Sequence, residues 1–163
     1  DMEVGDRILH VLQQASCPTF VFAITMENHG PLHLEPPHPE AATGLYSCPP
    51  PEGCDELSAY LRHLRNADAM LRMLHGALRL AACPASLCFY GDHVPIMPSA
   101  YKVLAEPTGI VPYFCWSNQR IHVPSQIEDA KRPAEDTGYA ERPLAVHDLA
   151  LTWLGGQLFR GEG

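Results

Sequence analysis

Residues Ser86–Pro98 read SLCFYGDHVPIMP, and the fold turns on this stretch. The apolar run Leu87-Cys88-Phe89-Tyr90 predicts a short buried strand that stops at Gly91. Asp92 and His93 follow at once. In an open α/β sheet, ligands bind beyond the carboxyl ends of the strands, so this pair is placed to hold a metal ion. A carboxylate gives a hard oxygen ligand and a neutral imidazole a nitrogen, a mixture suited to Zn²⁺ or Mn²⁺. The same residues also read as an ordinary turn, with Asp92 as its cap and His93 exposed.

Upstream, Thr19–Thr25 (TFVFAIT) is a continuous apolar run rich in β-formers, which predicts a strand covered on both faces. Met26-Glu27-Asn28-His29-Gly30-Pro31 follows it, as Gly91-Asp92-His93 follows the later strand. Parallel strands would bring the two polar clusters to one edge of the sheet. Between them, Asp55–Leu80 carries Leu57, Tyr60, Leu61, Leu64, Leu71, Leu74 and Leu78 on one helical stripe. Arg62, Arg65, Arg72 and Arg79 fall mostly outside the stripe and read as a solvated face, while Asp68 falls near it and needs a partner. The strand–helix–strand order predicts a right-handed parallel crossover.

The remaining segments are simpler. Val4–Ala15 has an apolar face and predicts a helix, ended by Cys17-Pro18. Pro31–Cys54 carries seven prolines and reads as a long loop holding His33 and His38. His33 lies four residues from His29 and is a candidate substrate contact; His38 reads as an exposed loop residue. Gly109–Ser117 predicts a third strand, with Pro112 marking its start or an edge. Gln126–Arg142 reads as a surface loop and Leu144–Leu154 as a closing helix. The expected architecture is α/β: a mixed, mostly parallel sheet flanked by helices in a single domain spanning residues 1–163.

The chain has 163 residues, of which 46% are hydrophobic and 18% charged, enough to bury one core. A formal charge of −8 disfavours nucleic acid and anionic membrane surfaces as main partners. An anionic substrate would need a local positive centre. No apolar run approaches the ~20 residues of a membrane span, and no signal peptide is visible. Cell envelope and cytoplasm therefore both stay open. The six cysteines form no CxxC pair. Cys88 and Cys115 lie in apolar runs and read as small buried hydrophobes. Cys48 and Cys54 flank a proline-rich loop, where spacing alone does not establish a disulfide.

Four stretches together resemble the carboxy-terminal half of the alkaline phosphatase and sulfatase superfamily. Phe20–Pro31 (FVFAITMENHGP) is similar to its strand followed by a His-Gly-Pro or Asn-His-x-Pro turn. Tyr60–Leu80 resembles the helix that follows, with an aspartate at Asp68. Phe89–His93 (FYGDH) resembles the Tyr-Gly-Asp-His metal motif of the lipoteichoic-acid synthase-like branch, which includes capsule-associated proteins. Val146–Gly155 (VHDLALTWLG) resembles a late helix of that branch.

The resemblance implies a partial alkaline-phosphatase-like three-layer sandwich. It makes Asp92 and His93 metal ligands for Zn²⁺ or Mn²⁺, and His29 the catalytic contact to a phosphate or sulfate group. Asn28, His29 and His33 become the substrate-binding set. In that family the nucleophile and a further acidic ligand precede the histidine motif. Only eighteen residues precede Thr19 here, and they read as a helix. Nucleophile and remaining metal ligands are thus expected from sequence upstream of this chain. The implied function is that of a carboxy-terminal fragment of a metal-dependent phospho- or sulfo-group transferase or hydrolase, for cell-surface or capsular polysaccharide. The alternative is a catalytically inactive sulfatase-like domain that binds a glycan or a partner protein.

Overall fold

The computed structural model describes residues 1–36, 44–47, 50, 52–119, 145, 148–150 and 152–153. The chain divides into two compact units, Asp1–Ala77 with His93–Gly109 and Leu78–Asp92 with Ile110–Gly163.

The first unit is built on helices. Helix α1 (Met2–Gln14) and helix α2 (Asp55–Arg79) are the two long elements, and α3 (Pro98–Leu104) is a short third. The first helix approaches the second at Gly5, where an added Cβ would lie 2.9 Å from Met70 Cγ and 2.5 Å from Met73 Cε. Glycine is there because backbone and methionine share that space. On α2 the buried positions are Glu56, His63, Ala67, Met70 and Leu74, spaced by seven, four, three and four residues. That is one helical stripe, but two of its members are polar. Of the expected leucine stripe only Leu74 belongs to it; Leu57, Tyr60, Leu61, Leu71 and Leu78 lie beside it and are half-buried, with Leu64 exposed.

The buried Glu56 has a structural explanation. Its Oε1 accepts the backbone N–H groups of Ser99 at 2.8 Å and Ala100 at 3.0 Å. These are orphan donors at the start of α3, where Pro98 opens the helix and the positive dipole end favours an anion. Met97 and Ala100 then join Leu32 and Cys54 in the core, flanked by Leu57, Ala59, Tyr60 and Tyr101. The Tyr101 hydroxyl donates to the Pro95 carbonyl, fixing the segment that follows His93.

The second unit contains the sheet. Strand β1 (Ser86–Tyr90) pairs antiparallel with β2 (Tyr113–Ser117), in a register running from Ser86↔Ser117 to Tyr90↔Tyr113. Asn118 closes one end of the ribbon. Its Nδ2 donates to the carbonyls of Leu78 (3.3 Å), Ala81 (3.3 Å) and Cys83 (2.9 Å), and its Oδ1 accepts the Ala85 N–H at 2.9 Å. One amide thus takes a carbonyl in the last turn of α2 and two in the connection after it, and aims the chain into β1. Asn118→Asp turns the donor face into a second acceptor against three carbonyl oxygens. The expected cost is about 2–3 kcal/mol, against about 1–2 for Asn118→Ala, read from urea midpoints.

Several expectations are corrected. Among the described residues the sheet has two strands and is antiparallel, so the mostly parallel crossover sheet is not what these residues form. Thr19–Thr25 makes no strand. A strand needs a neighbour to take its N–H and C=O groups, and none of the described strands does so here. Phe20, Phe22, Ile24 and Met26 are each more than 60% exposed, while Val21 and Thr25 are half-buried. Ala23, between them, is exposed as well, so the run has neither the ladder nor the alternating burial of a strand. Arg62 is not part of a solvated face but binds Glu35, whereas Asp68 lies on the exposed side and pairs with Arg72 at 2.6 Å. Residues 148–150 and 152–153 are helical, in the expected place. Cys48, His38 and the Gln126–Arg142 loop lie outside the described residues.

Candidate active site at His29 and His93

The turn that carries His29 is held from both ends by α2. The His29 N–H donates to the Met26 carbonyl at 3.0 Å, closing the turn. Before it, the Glu27 carbonyl accepts from His63 Nδ1, and the Glu27 carboxylate accepts from Asn66 Nδ2 and, at 2.6 Å, from the Asp1 nitrogen. After it comes a cis Gly30–Pro31 peptide, then a 3₁₀ turn at Leu32–Leu34 that buries Leu32. The chain is tied down again at Glu35, whose Oε2 accepts from Arg62 and lies 3.0 Å from His63 Nε2. Arg62 Nη2 donates to Glu35 and lies 3.1 Å from His63 Nε2. His63 and Arg62 together thus link the two ends of the turn, which is why an imidazole is buried on the helix face that also holds Glu56, Ala67, Met70 and Leu74.

Burial pushes the Glu27 carboxyl up. The Asn66 hydrogen bond, with the Asp1 ammonium and His63 beside it, outweighs that and holds it below the ordinary carboxylate range. A carboxyl depressed in the folded state stabilises the fold above its unfolded pKa and loses that contribution as pH falls through the folded value. The thermal midpoint should therefore fall on acidification below about pH 4.5, the ordinary value for this group. Glu27→Gln should flatten that dependence, and its midpoint should converge with that of the unsubstituted chain only once the pH lies below the folded value. Calorimetric scans from pH 3 to 7 test both statements.

His29 and His93 come together within the first unit. Their ring centroids are 6.4 Å apart with planes at 76°, an edge-to-face arrangement. The expected juxtaposition of the two strand-end histidines is thus present, although Thr19–Thr25 forms no strand. His29 Nδ1 lies 2.8 Å from the Gly30 carbonyl, and His93 Nδ1 lies 2.8 Å from the Val94 carbonyl. A carbonyl only accepts, so each Nδ1 carries the proton and donates. In the neutral rings this places the lone pair on Nε2. That tautomer suits metal ligation or acceptance of a substrate proton, with the backbone orienting the ring.

The other candidates are placed less tightly. Asn28 is half-buried, and its Oδ1 is buried with no hydrogen-bond partner among the described residues. An unsatisfied buried acceptor next to His29 fits a group that donates to it. His33 is exposed in the 3₁₀ turn. Asp92 is exposed and ends the β1 segment of the second unit, immediately before His93 in sequence. Gly91 before it packs closely on Val111, where an added Cβ would lie 3.2 Å from Val111 Cβ, and its N–H donates to the Pro112 carbonyl. The described donors fit a divalent ion in type, but no three His, Cys, Asp or Glu side chains among them converge into a ligand set. A catalytic zinc ordinarily takes three protein ligands.

His63, Glu27 and Glu35 escape a reading based on strand-end clusters. The only signal was a histidine in line with the apolar stripe of the long helix.

A sulfatase family model matches residues 1–155. The chain belongs to the sulfatase family. No curated protein and no solved structure matches it. Sulfatase-family membership accounts for the α/β composition and indicates a phospho- or sulfo-group transferase or hydrolase acting on sulfate- or phosphate-bearing substrates. Members of the family generally use divalent metal ions. No helix among the described residues is long and apolar enough to cross a membrane.

Proposed function

We propose that this chain is the carboxy-terminal portion of a metal-dependent phospho- or sulfo-group transferase or hydrolase of the lipoteichoic-acid synthase-like branch, acting on a cell-surface or capsular polysaccharide. The edge-to-face pair of His29 and His93 within a sulfatase-family chain carries this reading. The exposed row Phe20, Phe22, Ile24 and Met26 supports the word portion, since a contiguous apolar row is what a segment covered by further protein presents.

In this reading Asp92 and His93, consecutive in sequence, would hold the ion, one offering a carboxylate and the other an imidazole. A divalent ion there supplies positive charge against the transferred group. His29, oriented by its Nδ1–H bond to Gly30, presents Nε2 to the phosphate or sulfate. It accepts a hydrogen bond when neutral and donates one when protonated, which suits it to move a proton at the leaving oxygen. Asn28 Oδ1 accepts from a substrate hydroxyl, and His33 flanks the same turn. His63 and Glu35 keep the turn fixed while charge shifts on the substrate.

The test compares release of p-nitrophenol from the sulfate, the phosphate monoester and a phosphodiester by the intact parent protein, with and without a chelator. Turnover that a chelator removes and Mn²⁺ or Zn²⁺ restores supports the reading. Turnover indifferent to chelation, or none on any sulfate or phosphate ester, contradicts it.

A further inference from the structure

We propose that Cys88 and Cys115 form a reversible cross-strand disulfide, a redox modification site set into the β1–β2 ribbon. The two residues are register partners, and their sulfurs lie 3.4 Å apart. The hydrogen-bond pattern shows what kind of pair they are. The Gly91 N–H donates to Pro112 and the Asn118 N–H to Ala85, so the 91/112 and 85/118 pairs are hydrogen-bonded ones. Bonded and non-bonded pairs alternate in an antiparallel ladder, which makes Cys88↔Cys115 a non-hydrogen-bonded pair. At such a pair the Cα atoms lie about 4.5 Å apart and the side chains are closest. That falls inside the range of roughly 4.4–6.8 Å that a disulfide spans. Phe89 and Phe114, the next pair, stack with centroids 5.8 Å apart and hold the register.

The two thiols are not equivalent. The Cys115 S–H donates to the Cys88 sulfur, which lowers the Cys88 pKa against the opposing effect of burial. The same bond, burial and the Cys88 charge push Cys115 up. Cys88 is therefore the attacking thiolate and Cys115 the resolving thiol. With glutathione disulfide as oxidant, Cys88 attacks one glutathione sulfur and releases the other as thiolate. Cys115 then loses its proton to solvent and attacks the Cys88 sulfur, breaking the mixed disulfide and releasing the second glutathione. Two protein thiols are oxidised by two electrons, and one glutathione disulfide is reduced to two thiols. The link would pin β1, whose last residue, Tyr90, lies two positions before Asp92.

The experiment equilibrates the chain in glutathione buffers of graded ratio, blocks free thiols with N-ethylmaleimide, and maps peptides by mass spectrometry. A linked Cys88–Cys115 peptide, two hydrogens lighter than the reduced pair, should appear in one transition and disappear with dithiothreitol. Cys115→Ser should instead accumulate the glutathione adduct on Cys88, and Cys88→Ser should likewise remove the linked peptide. Because the unsubstituted chain is scored first, a variant that fails to fold does not decide the outcome. Full alkylation of both thiols at every ratio overturns the proposal, as does pairing of Cys88 with any other cysteine.

Discussion

On the proposed function, Asp92→Asn is expected to abolish metal-dependent turnover. The substitution keeps the side chain's size and removes the anionic oxygen that would face the cation. Losing an outer partner of a metal ligand already costs about 10–100-fold, so losing a ligand should cost at least about 100-fold. His93→Ala should behave alike, because it removes the Nε2 that the Nδ1–Val94 bond orients. His29→Ala separates the roles. If His29 serves substrate and not metal, turnover should fall by about 10²–10⁴-fold while metal affinity is kept. Steady-state kinetics with a metal titration, and circular dichroism to confirm folding, give all three results. Undiminished metal-dependent turnover in Asp92→Asn would exclude the proposed ligand.

The largest expected effect on stability is at Glu56. Its side chain is 4% exposed and one oxygen receives two backbone N–H groups. Hydrogen bonds to a charged group contribute about 1.5–3 kcal/mol each, and Glu56→Ala leaves two donors at a helix start without their acceptor, the Ala100 N–H in a buried position. A loss of about 3 kcal/mol or more follows, a fall of roughly 6–12 °C in the thermal midpoint for a chain of this size. Glu56→Gln keeps the acceptor oxygen and loses only the charge, so it should cost about 1 kcal/mol. Equal losses in both variants would mean that the charge, and not the acceptor, holds α3.

The sequence made the helices legible and the sheet much less so. Val4–Ala15 and Asp55–Leu80 have local periodicity, and the structure places α1 at Met2–Gln14 and α2 at Asp55–Arg79. A strand depends on a partner that periodicity cannot name. SLCFY found one in YFCWS, antiparallel, while TFVFAIT found none among the described residues. The face of α2 that is buried most deeply was also illegible. Leucines mark an apolar stripe, but Glu56 and His63 are buried because distant backbone groups bond to them.

The candidate site shows the same division. The strand-end rule singled out His29 and His93, and they lie ring against ring. What fixes His29 was hidden, because His63, Glu27 and Glu35 are brought together across 28 residues or more of chain by folding alone. Cys88 and Cys115 read as small hydrophobes, since nothing in either run announced that the other would be its register partner.

Paramagnetic broadening of the histidine ring protons by Mn²⁺ tests the shared site most directly, because it detects even weak binding. The resonances of His29 and His93 should broaden together at the lowest Mn²⁺ additions, ahead of those of His10, His33 and His75, and both effects should vanish in His93→Ala. Broadening spread evenly over all the histidines, or reaching His29 and His93 last, would contradict a common site.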